Sequence, residues 1–199
     1  MESSPGARLD CQAGSAEQRE FSSEERTLLL KLAHDAIASV IEHREISLAP
    51  PCPHLAEPRG VFTTLYHGGS LRGCVGYVLP VASLYRAVAE TARGAAFDDT
   101  RFPPLTRMEL RGLEVSLSIL SPLQPIRPEE IEIGRHGLLV KMGSRRGLLL
   151  PQVPVEHGWD VTAFLQQTCR KADLSLNAWQ TGAELEAFTA EVFSDRRAA

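Results

Sequence analysis

The stretch that decides the fold is Leu71-Arg72-Gly73-Cys74-Val75-Gly76. It follows the apolar run Val61-Phe62-Thr63-Thr64-Leu65-Tyr66 and the turn His67-Gly68-Gly69-Ser70. Two strand-like runs joined by a Gly-Gly turn predict a β-hairpin. Glycine inside a strand weakens it, and marks either a bulge or a place where other atoms approach the backbone closely. The glycines on both sides of Cys74 therefore make this thiol the most chemically suggestive position in the chain.

The bulk composition is that of a globular protein with an ordinary core. The chain has 199 residues, of which 43% are hydrophobic and 23% charged, so it can form one large domain or two small ones. Its formal net charge of −4 argues against a protein that binds nucleic acid through bulk charge, but it leaves room for a local basic groove. No apolar run approaches the roughly 18 residues of a membrane span. The N-terminus lacks a secretory signal pattern, and we predict a cytoplasmic protein.

The four cysteines are scattered and contain no Cys-x-x-Cys pair. In a cytoplasmic chain, such cysteines are most simply free thiols. Cys52 and His54 have the spacing of a metal-ligand pair, but no second pair follows, so we predict no zinc site. Because the chain also lacks a nucleotide signature, we predict no bound cofactor.

Helical spacing and capping signals divide the first half of the chain. Residues 1–20 are polar and predict a disordered tail. Ser22 and Glu25 have the spacing of a capping box that starts a helix reaching about His43. The prolines of residues 47–60 predict a connecting loop without a helix or a central strand. An alanine-rich helix is predicted over residues 81–97.

The second half of the chain mixes hairpins with helices. Residues 113–120 alternate apolar and polar side chains, which predicts a half-buried strand. Residues 137–142 and 148–150 predict a second hairpin, and residues 156–171 a helix. The run 184–193 fits either a helix or a strand. Because strands and helices do not alternate regularly, we predict an α/β protein of the α+β type with a mainly antiparallel sheet.

Several ordered motifs resemble the AMMECR-type domain, which is component A of the AmmeMemoRadiSam system. The resemblance covers nearly everything from residue 21 onward, although the family usually has Ile at the position of Val75, and Pro or Ser at that of Thr100. The motifs are Leu71-Arg72-Gly73-Cys74-Val75-Gly76, Asp99-Thr100-Arg101-Phe102-Pro103-Pro104, Glu114-Val115-Ser116, Gly134-Arg135-His136-Gly137-Leu138, Leu149-Leu150-Pro151-Gln152-Val153, Gly158-Trp159-Asp160, Phe164-Leu165 and Lys171-Ala172.

The resemblance implies a single domain over residues 21–199, made of two unequal lobes. The larger lobe would contain both chain ends and an antiparallel sheet, and the smaller lobe would be an insertion. The last run would be a strand, and the signature residues would line a cleft between the lobes. Family members sit beside Memo-like and radical-SAM proteins in many prokaryotes, which makes both kinds of protein expected partners. The resemblance carries no established activity, since nucleic-acid-related and enzymatic roles have both been suggested.

The sequence suggests a thiol-based site around Cys74. A thiol reacts as its thiolate, which nearby cations stabilise, so we interpret Cys74 as a nucleophile or thiol carrier assisted by Arg72 or Arg101. His136 is the candidate general base. On a regular strand, Arg72 and Cys74 would share a face, whereas a bulge at Gly73 would break that parity. The competing interpretation is a small buried thiol, with Gly73 serving only close packing.

Charged residues outside the hairpin complete the predicted site. Asp99 and Arg101 could form a substrate clamp, because arginine binds carboxylate or phosphate with a bidentate fork. The alternative is helix termination with a local ion pair. Glu114 is an acid–base candidate if its strand face lines the cleft, and ordinary surface decoration if that face is solvated.

These residues lead to one functional prediction and one competing class. We predict an enzyme, or an enzyme component, that acts on a small anionic substrate or on a modified partner. The alternative is a non-catalytic module that recognises a protein or nucleic acid, with nucleic acid the less favoured ligand. The predicted catalytic residues are Cys74, His136 and Glu114, and the predicted substrate-binding residues are Arg72, Gly73, Asp99 and Arg101.

Overall fold

A computed structural model describes residues 20–195. The predicted disordered tail lies outside this range, apart from Glu20. The chain divides into two compact units, of which the first reaches Ile119 and resumes at Glu191, and the second comprises the intervening Leu120–Ala190. The second unit is therefore an insertion in the first.

The described residues form helices and strands of moderate length. The α-helices are α1 (Ser23–Ile41), α2 (Pro53–Ala56), α3 (Leu84–Phe97), α4 (Gln152–His157) and α5 (Val161–Lys171). The strands are β1 (Val61–His67), β2 (Ser70–Tyr77), β3 (Leu113–Leu120), β4 (Gln124–Pro125), β5 (Gly137–Met142), β6 (Arg145–Leu149), β7 (Glu184–Phe188) and β8 (Ala190–Ser194). Short 3₁₀ turns cover Pro128–Glu130 and Ala178–Gln180. No helix in the described range is long and apolar enough to cross a membrane.

The first unit is built on a sheet with the strand order β2-β1-β3-β8. The predicted hairpin is confirmed, because β1 pairs antiparallel with β2, and β1 pairs on its other side with β3. Alternate residues of the central strands, such as Val61, Leu65 and Leu117, are fully buried. They belong to one core with residues of α1 and α3, so both helices cover the same face of the sheet.

Local sequence signals set the ends of these helices. The predicted capping box of α1 is present, because Ser22 Oγ accepts from the Glu25 N–H at 3.2 Å and a Glu25 carboxylate oxygen accepts from the Ser22 N–H at 2.9 Å. α3 begins at Leu84, three residues later than the sequence predicts, because the Ser83 side chain caps it. Each cap satisfies a backbone donor that the first helical turn leaves without a partner.

Glycine allows β2 to approach α3 very closely. A Cβ on Gly73 would lie 2.0 Å from the carbonyl oxygen of Ala95, and a Cβ on Gly94 would lie 3.1 Å from a methyl group of Val75. Of the two glycines around Cys74, Gly73 thus makes the expected close approach on the helix side of the sheet, whereas a Cβ on Gly76 would meet the Phe62 side chain of β1.

The second unit has its own sheet, with the strand order β4-β7-β5-β6. β5 pairs antiparallel with both β6 and β7, and its buried Leu138 packs with Phe164 and Leu165 of α5. The two antiparallel sheets flanked by helices confirm the predicted fold class.

Three element predictions need correction. The proline-rich loop does contain a helical turn, α2, because Pro53 stands at the first helical position, where a missing N–H is harmless. The predicted helix 156–171 is two helices, since Gly158 ends α4 in the left-handed region with φ 64° and the Asp160 side chain caps α5. The run 184–193 is not one element, because β7 and β8 belong to different sheets and Thr189 separates them.

Candidate functional site

Cys74 lies on a polar face of the first sheet, opposite the face that carries the helices. The register pairs Thr64 of β1 with Cys74 of β2 and with Ser116 of β3. Residues directly opposite on neighbouring strands point to the same side, so these three side chains form a row that we call the thiol row. Cys74 is half-buried, and the Thr64 hydroxyl donates to its sulfur at 3.4 Å. The sulfur is therefore not enclosed by aliphatic side chains alone.

A β-bulge separates Arg72 from Cys74. Leu65 pairs with Gly73 while Tyr66 pairs with Leu71, which leaves Arg72 as the extra residue. The parity of a regular strand is consequently broken, as the sequence anticipated for a bulge at this point. The guanidinium of Arg72 instead binds Glu109 through Nε at 2.7 Å and Nη2 at 3.3 Å.

Arg72 and Glu109 hold the loop that follows α3. Arg72 Nη2 also donates to the Pro103 carbonyl at 2.9 Å, and the Arg72 side chain is only 13% exposed. Glu109 additionally accepts from the N–H and hydroxyl of Thr106 at 2.8 and 2.9 Å. The Arg72 guanidinium and the Thr106 N–H lower the pKa of Glu109 to about 2. This ion pair is a structural clamp between β2 and the loop.

Asp99 and Arg101 occupy the outer edge of β2 beside Cys74. A carboxylate oxygen of Asp99 accepts from the Cys74 backbone N–H at 2.8 Å. Arg101 binds both oxygens of Asp99, at 2.9 and 2.7 Å, and Nη2 also reaches the Cys74 carbonyl at 3.5 Å. The pair thus binds both the N–H and the carbonyl of Cys74 at the outer edge of β2, as a neighbouring strand would. Asp99 is 7% exposed, whereas Arg101 is 57% exposed.

The electrostatics of this pair are mutually stabilising. The Arg101 guanidinium, helped by the Cys74 N–H, holds the pKa of Asp99 well below its usual range. The Asp99 carboxylate raises the pKa of Arg101, and the charge of an ionised Cys74 sulfur would add to that increase. The guanidinium therefore stays charged close to the thiol.

Phe102 connects the two arginines. The guanidinium carbons of Arg72 and Arg101 lie 5.9 and 5.5 Å from the centroid of its ring, within the range of a cation–π contact. Arg72, Phe102 and Arg101 therefore form one continuous packed group beside β2.

Glu114 shares the face of the thiol row without reaching Cys74. It pairs with Tyr66 of β1, two residues along the strands from the paired residues Thr64 and Ser116. Two strand spacings of about 4.8 Å and two residues of about 3.4 Å place its Cα roughly 12 Å from that of Cys74. Glu114 can consequently act on a molecule bound over the face, but it cannot take the thiol proton directly.

His136 belongs to the second unit, whereas the other predicted site residues belong to the first. Its Nδ1 accepts from the Glu132 backbone N–H at 3.1 Å, which in the neutral ring leaves the proton on Nε2. The Glu132 carboxylate also binds Arg135. The role of His136 as a general base stays a prediction.

Gly73 packs against the backbone of α3. Gly73 faces Ala95 of α3, so its closest neighbour is protein backbone, and its predicted role in substrate binding stays a prediction.

Sequence reasoning missed Thr64 as the neighbour of the sulfur and Glu109 as the partner of Arg72. Strand pairing could have indicated Thr64, and the Thr106-x-x-Glu109 spacing of a capping box could have indicated Glu109. Among residues 20–195, no three His, Cys, Asp or Glu side chains form a group suited to a metal ion.

Comparisons with known proteins agree on one family. The AMMECR1 family model matches residues 30–193. Protein MK0488 of Methanopyrus kandleri is 44% identical over 184 residues, covering 86% of this chain and 89% of that protein. Protein TK0174 of Thermococcus kodakarensis is 41% identical, with 84% and 88% covered. The crystal structure of the uncharacterized protein PH0010 from Pyrococcus horikoshii matches with a TM-score of 0.68 and 39% identity, covering 85% of this chain and 90% of that one. The chain belongs to the AMMECR1 family.

Proposed function

We propose that this protein is an enzyme, or a component of one, in which Cys74 reacts with a small anionic substrate or with a modified partner. One observation carries the proposal: the half-buried Cys74 sulfur accepts from the Thr64 hydroxyl at 3.4 Å, and the Arg101 guanidinium is bound to the backbone carbonyl of the same cysteine. A hydrogen-bond donor and a cation are the groups that stabilise a thiolate. Attack by the thiolate on a carbonyl carbon of the substrate would form the S–C bond as the carbonyl π bond breaks, with its electron pair moving to the oxygen and the thiol proton reaching that oxygen through solvent.

The described contacts divide the two arginines by role. Arg72 uses its fork on Glu109, and its remaining Nη1 is buried. Arg101 uses Nε and Nη2 on Asp99 but is largely exposed, and its Nη1 makes no hydrogen bond within residues 20–195. An anionic group of the substrate would therefore meet Arg101 rather than Arg72.

The test is the alkylation rate of Cys74 in the folded protein, measured by quenched iodoacetamide labelling and peptide mass spectrometry. We expect Cys74 to react at least as fast as glutathione at pH 7, and at least tenfold faster than the buried Cys169. Thr64→Val should slow Cys74 because it removes the donor, whereas Ser118→Ala, on the same face of β3, should not. A Cys74 that reacts more slowly than glutathione, with a rate insensitive to Thr64→Val, would remove the basis of the proposal.

The proposal also includes the setting of the reaction. We place it in the cytoplasm, where the free thiols Cys52, Cys74 and Cys169 would persist, and we retain Memo-like and radical-SAM proteins as its proposed partners. Calorimetric titration with such proteins encoded in the same genome tests that pairing. The competing class, a binding module, would instead be supported by nucleic-acid binding that weakens steeply with salt while Cys74 stays unreactive.

A further inference from the structure

The turn over residues 106–112 is held rigidly although it lies on the surface. The Glu109 carboxylate accepts bonds from Arg72 and Thr106, and the Glu109 N–H donates to the Thr106 carbonyl at 3.1 Å. Gly112 closes the turn with a φ of 88°, in the region that favours glycine. Because the turn is already ordered, binding a partner there costs little conformational entropy of the turn.

This rigid turn presents an apolar side chain between two cations. Met108 is 88% exposed, and Leu71, which precedes Arg72 on β2, is 43% exposed. Arg107 and Arg111 are exposed, and no carboxylate in the described range lies within 4.0 Å of either. Methionine and arginine are enriched in protein interfaces.

We propose that the 106–112 turn, together with Leu71, is the docking surface for an acidic segment of a partner polypeptide. An apolar side chain of that segment packs on Met108 and Leu71, and its carboxylates bind Arg107 and Arg111. The inference rests on the proposed function, because it identifies the modified partner as a protein that carries such a segment.

The chemistry of the surface favours polypeptide over nucleic acid. Two cations neutralise at most two phosphates, and such a count gives only weak binding that added salt removes. A nearly fully exposed methionine gains little from a phosphate backbone, whereas burial against an apolar side chain removes its surface from water.

The docking surface is connected to the thiol by rigid contacts. Arg72, which clamps the turn, and Arg101, which binds the backbone of Cys74, share the ring of Phe102. A segment docked on Met108 is therefore held in a fixed relation to β2 and its sulfur. This arrangement suits a thiol that must meet one position of a large partner.

The experiment uses the full chain and a random twelve-residue peptide library displayed on phage. Selection on the wild type should enrich peptides with several Asp or Glu residues around one apolar residue. The most enriched peptide, synthesised with a fluorophore, should bind Met108→Ala and the double variant Arg107→Glu/Arg111→Glu at least tenfold more weakly than the wild type. Two matched substitutions elsewhere in the first unit, Val81→Ala and Lys31→Glu, should leave its affinity within twofold.

The remaining outcomes separate docking from chemistry. Absence of enrichment, or peptides that bind the turn variants as tightly as the wild type, overturns the docking surface. Binding of a labelled single-stranded oligonucleotide that is lost in the double variant reassigns the turn to nucleic acid and also overturns it. The iodoacetamide rate of Cys74 should be the same in all these variants. Failure to enrich an acidic peptide, or an enriched peptide whose affinity the turn substitutions leave unchanged, therefore refutes only the docking surface when Cys74 is reactive, whereas an unreactive Cys74 refutes the proposed function itself.

Discussion

Replacing Gly73 with alanine should destabilise the first unit more than a typical surface change would. An added Cβ would lie 2.0 Å from the Ala95 carbonyl oxygen, about 1.4 Å short of an ordinary van der Waals contact. The carbonyl oxygen is part of the α3 backbone, and the added Cβ is bonded directly to the β2 backbone. Neither atom can therefore rotate out of the contact. Overpacking of a core typically costs about 1–3 kcal/mol, and this backbone-to-backbone case should fall near 3 kcal/mol.

Equilibrium urea unfolding, followed by far-ultraviolet circular dichroism, measures this effect. With an m-value of about 2 kcal/mol per molar, a loss of about 3 kcal/mol lowers the midpoint by roughly 1.5 M. The matched control is Gly94→Ala on the opposite side of the same contact. Its Cβ would lie 3.1 Å from a methyl group of Val75, a side chain that can shift, and alanine gains about 1 kcal/mol of helix propensity over glycine.

The two substitutions should therefore separate, although they add the same methyl group at the same packing contact. Gly94→Ala should change the free energy of unfolding by less than about 1 kcal/mol in either direction. A Gly73→Ala protein as stable as the wild type, or a Gly94→Ala protein equally destabilised, would show that β2 and α3 are not packed at glycine distance.

Three further outcomes follow from single contacts. Because the folded-state pKa of Glu109 is lowered from 4.5 to about 2, its stabilisation is complete above pH 4.5 and is lost as the pH falls through 2; the stability gap between the wild type and Glu109→Gln in thermal melts should shrink over that range. Phe164→Ala, at a fully buried position, should lower the tryptophan-fluorescence unfolding midpoint by an amount equivalent to about 3–5 kcal/mol, and a loss under 1 kcal/mol would contradict its place in the core. Burial raises the pKa of Cys169, so iodoacetamide should label it only after urea unfolding; labelling at a free-thiol rate in the folded protein would contradict that burial.

Local signals explain which parts of the fold were predictable. The hairpin of β1 and β2 and the capped start of α1 follow from residues close together in the sequence, where turn chemistry and capping act directly. Helix α2 was not predicted because the many prolines of residues 47–60 argue against a helix. Proline is nevertheless compatible with the first position of a helix, where Pro53 stands. The split at Thr189 could not be read from periodicity, because strand assignment to one sheet or another depends on partners far away in the chain.

The partners of the charged side chains were less predictable than the elements. Arg72 lies two residues from Cys74, yet it binds Glu109, which is 37 residues away. The cause is a single extra residue in β2, and register is set by pairing with β1 rather than by β2 alone. Sequence spacing therefore anticipated the local ion pair of Asp99 and Arg101, but it could not assign the Arg72 guanidinium to Glu109.

The edge contact of Asp99 and Arg101 combines two roles that a conservative substitution can separate. As a substitute for a neighbouring strand, the pair needs the Asp99 oxygen on the Cys74 N–H; as support for a thiolate, it needs a cation near the sulfur. Arg101→Lys keeps the charge but loses the fork that binds both Asp99 oxygens. If the fork is needed only to hold the cation in place, Arg101→Lys should slow Cys74 alkylation severalfold while the urea midpoint changes little, because Asp99 still accepts from the Cys74 N–H. An unchanged alkylation rate together with a lowered midpoint would instead mean that the pair serves the sheet edge alone and contributes nothing to the thiol.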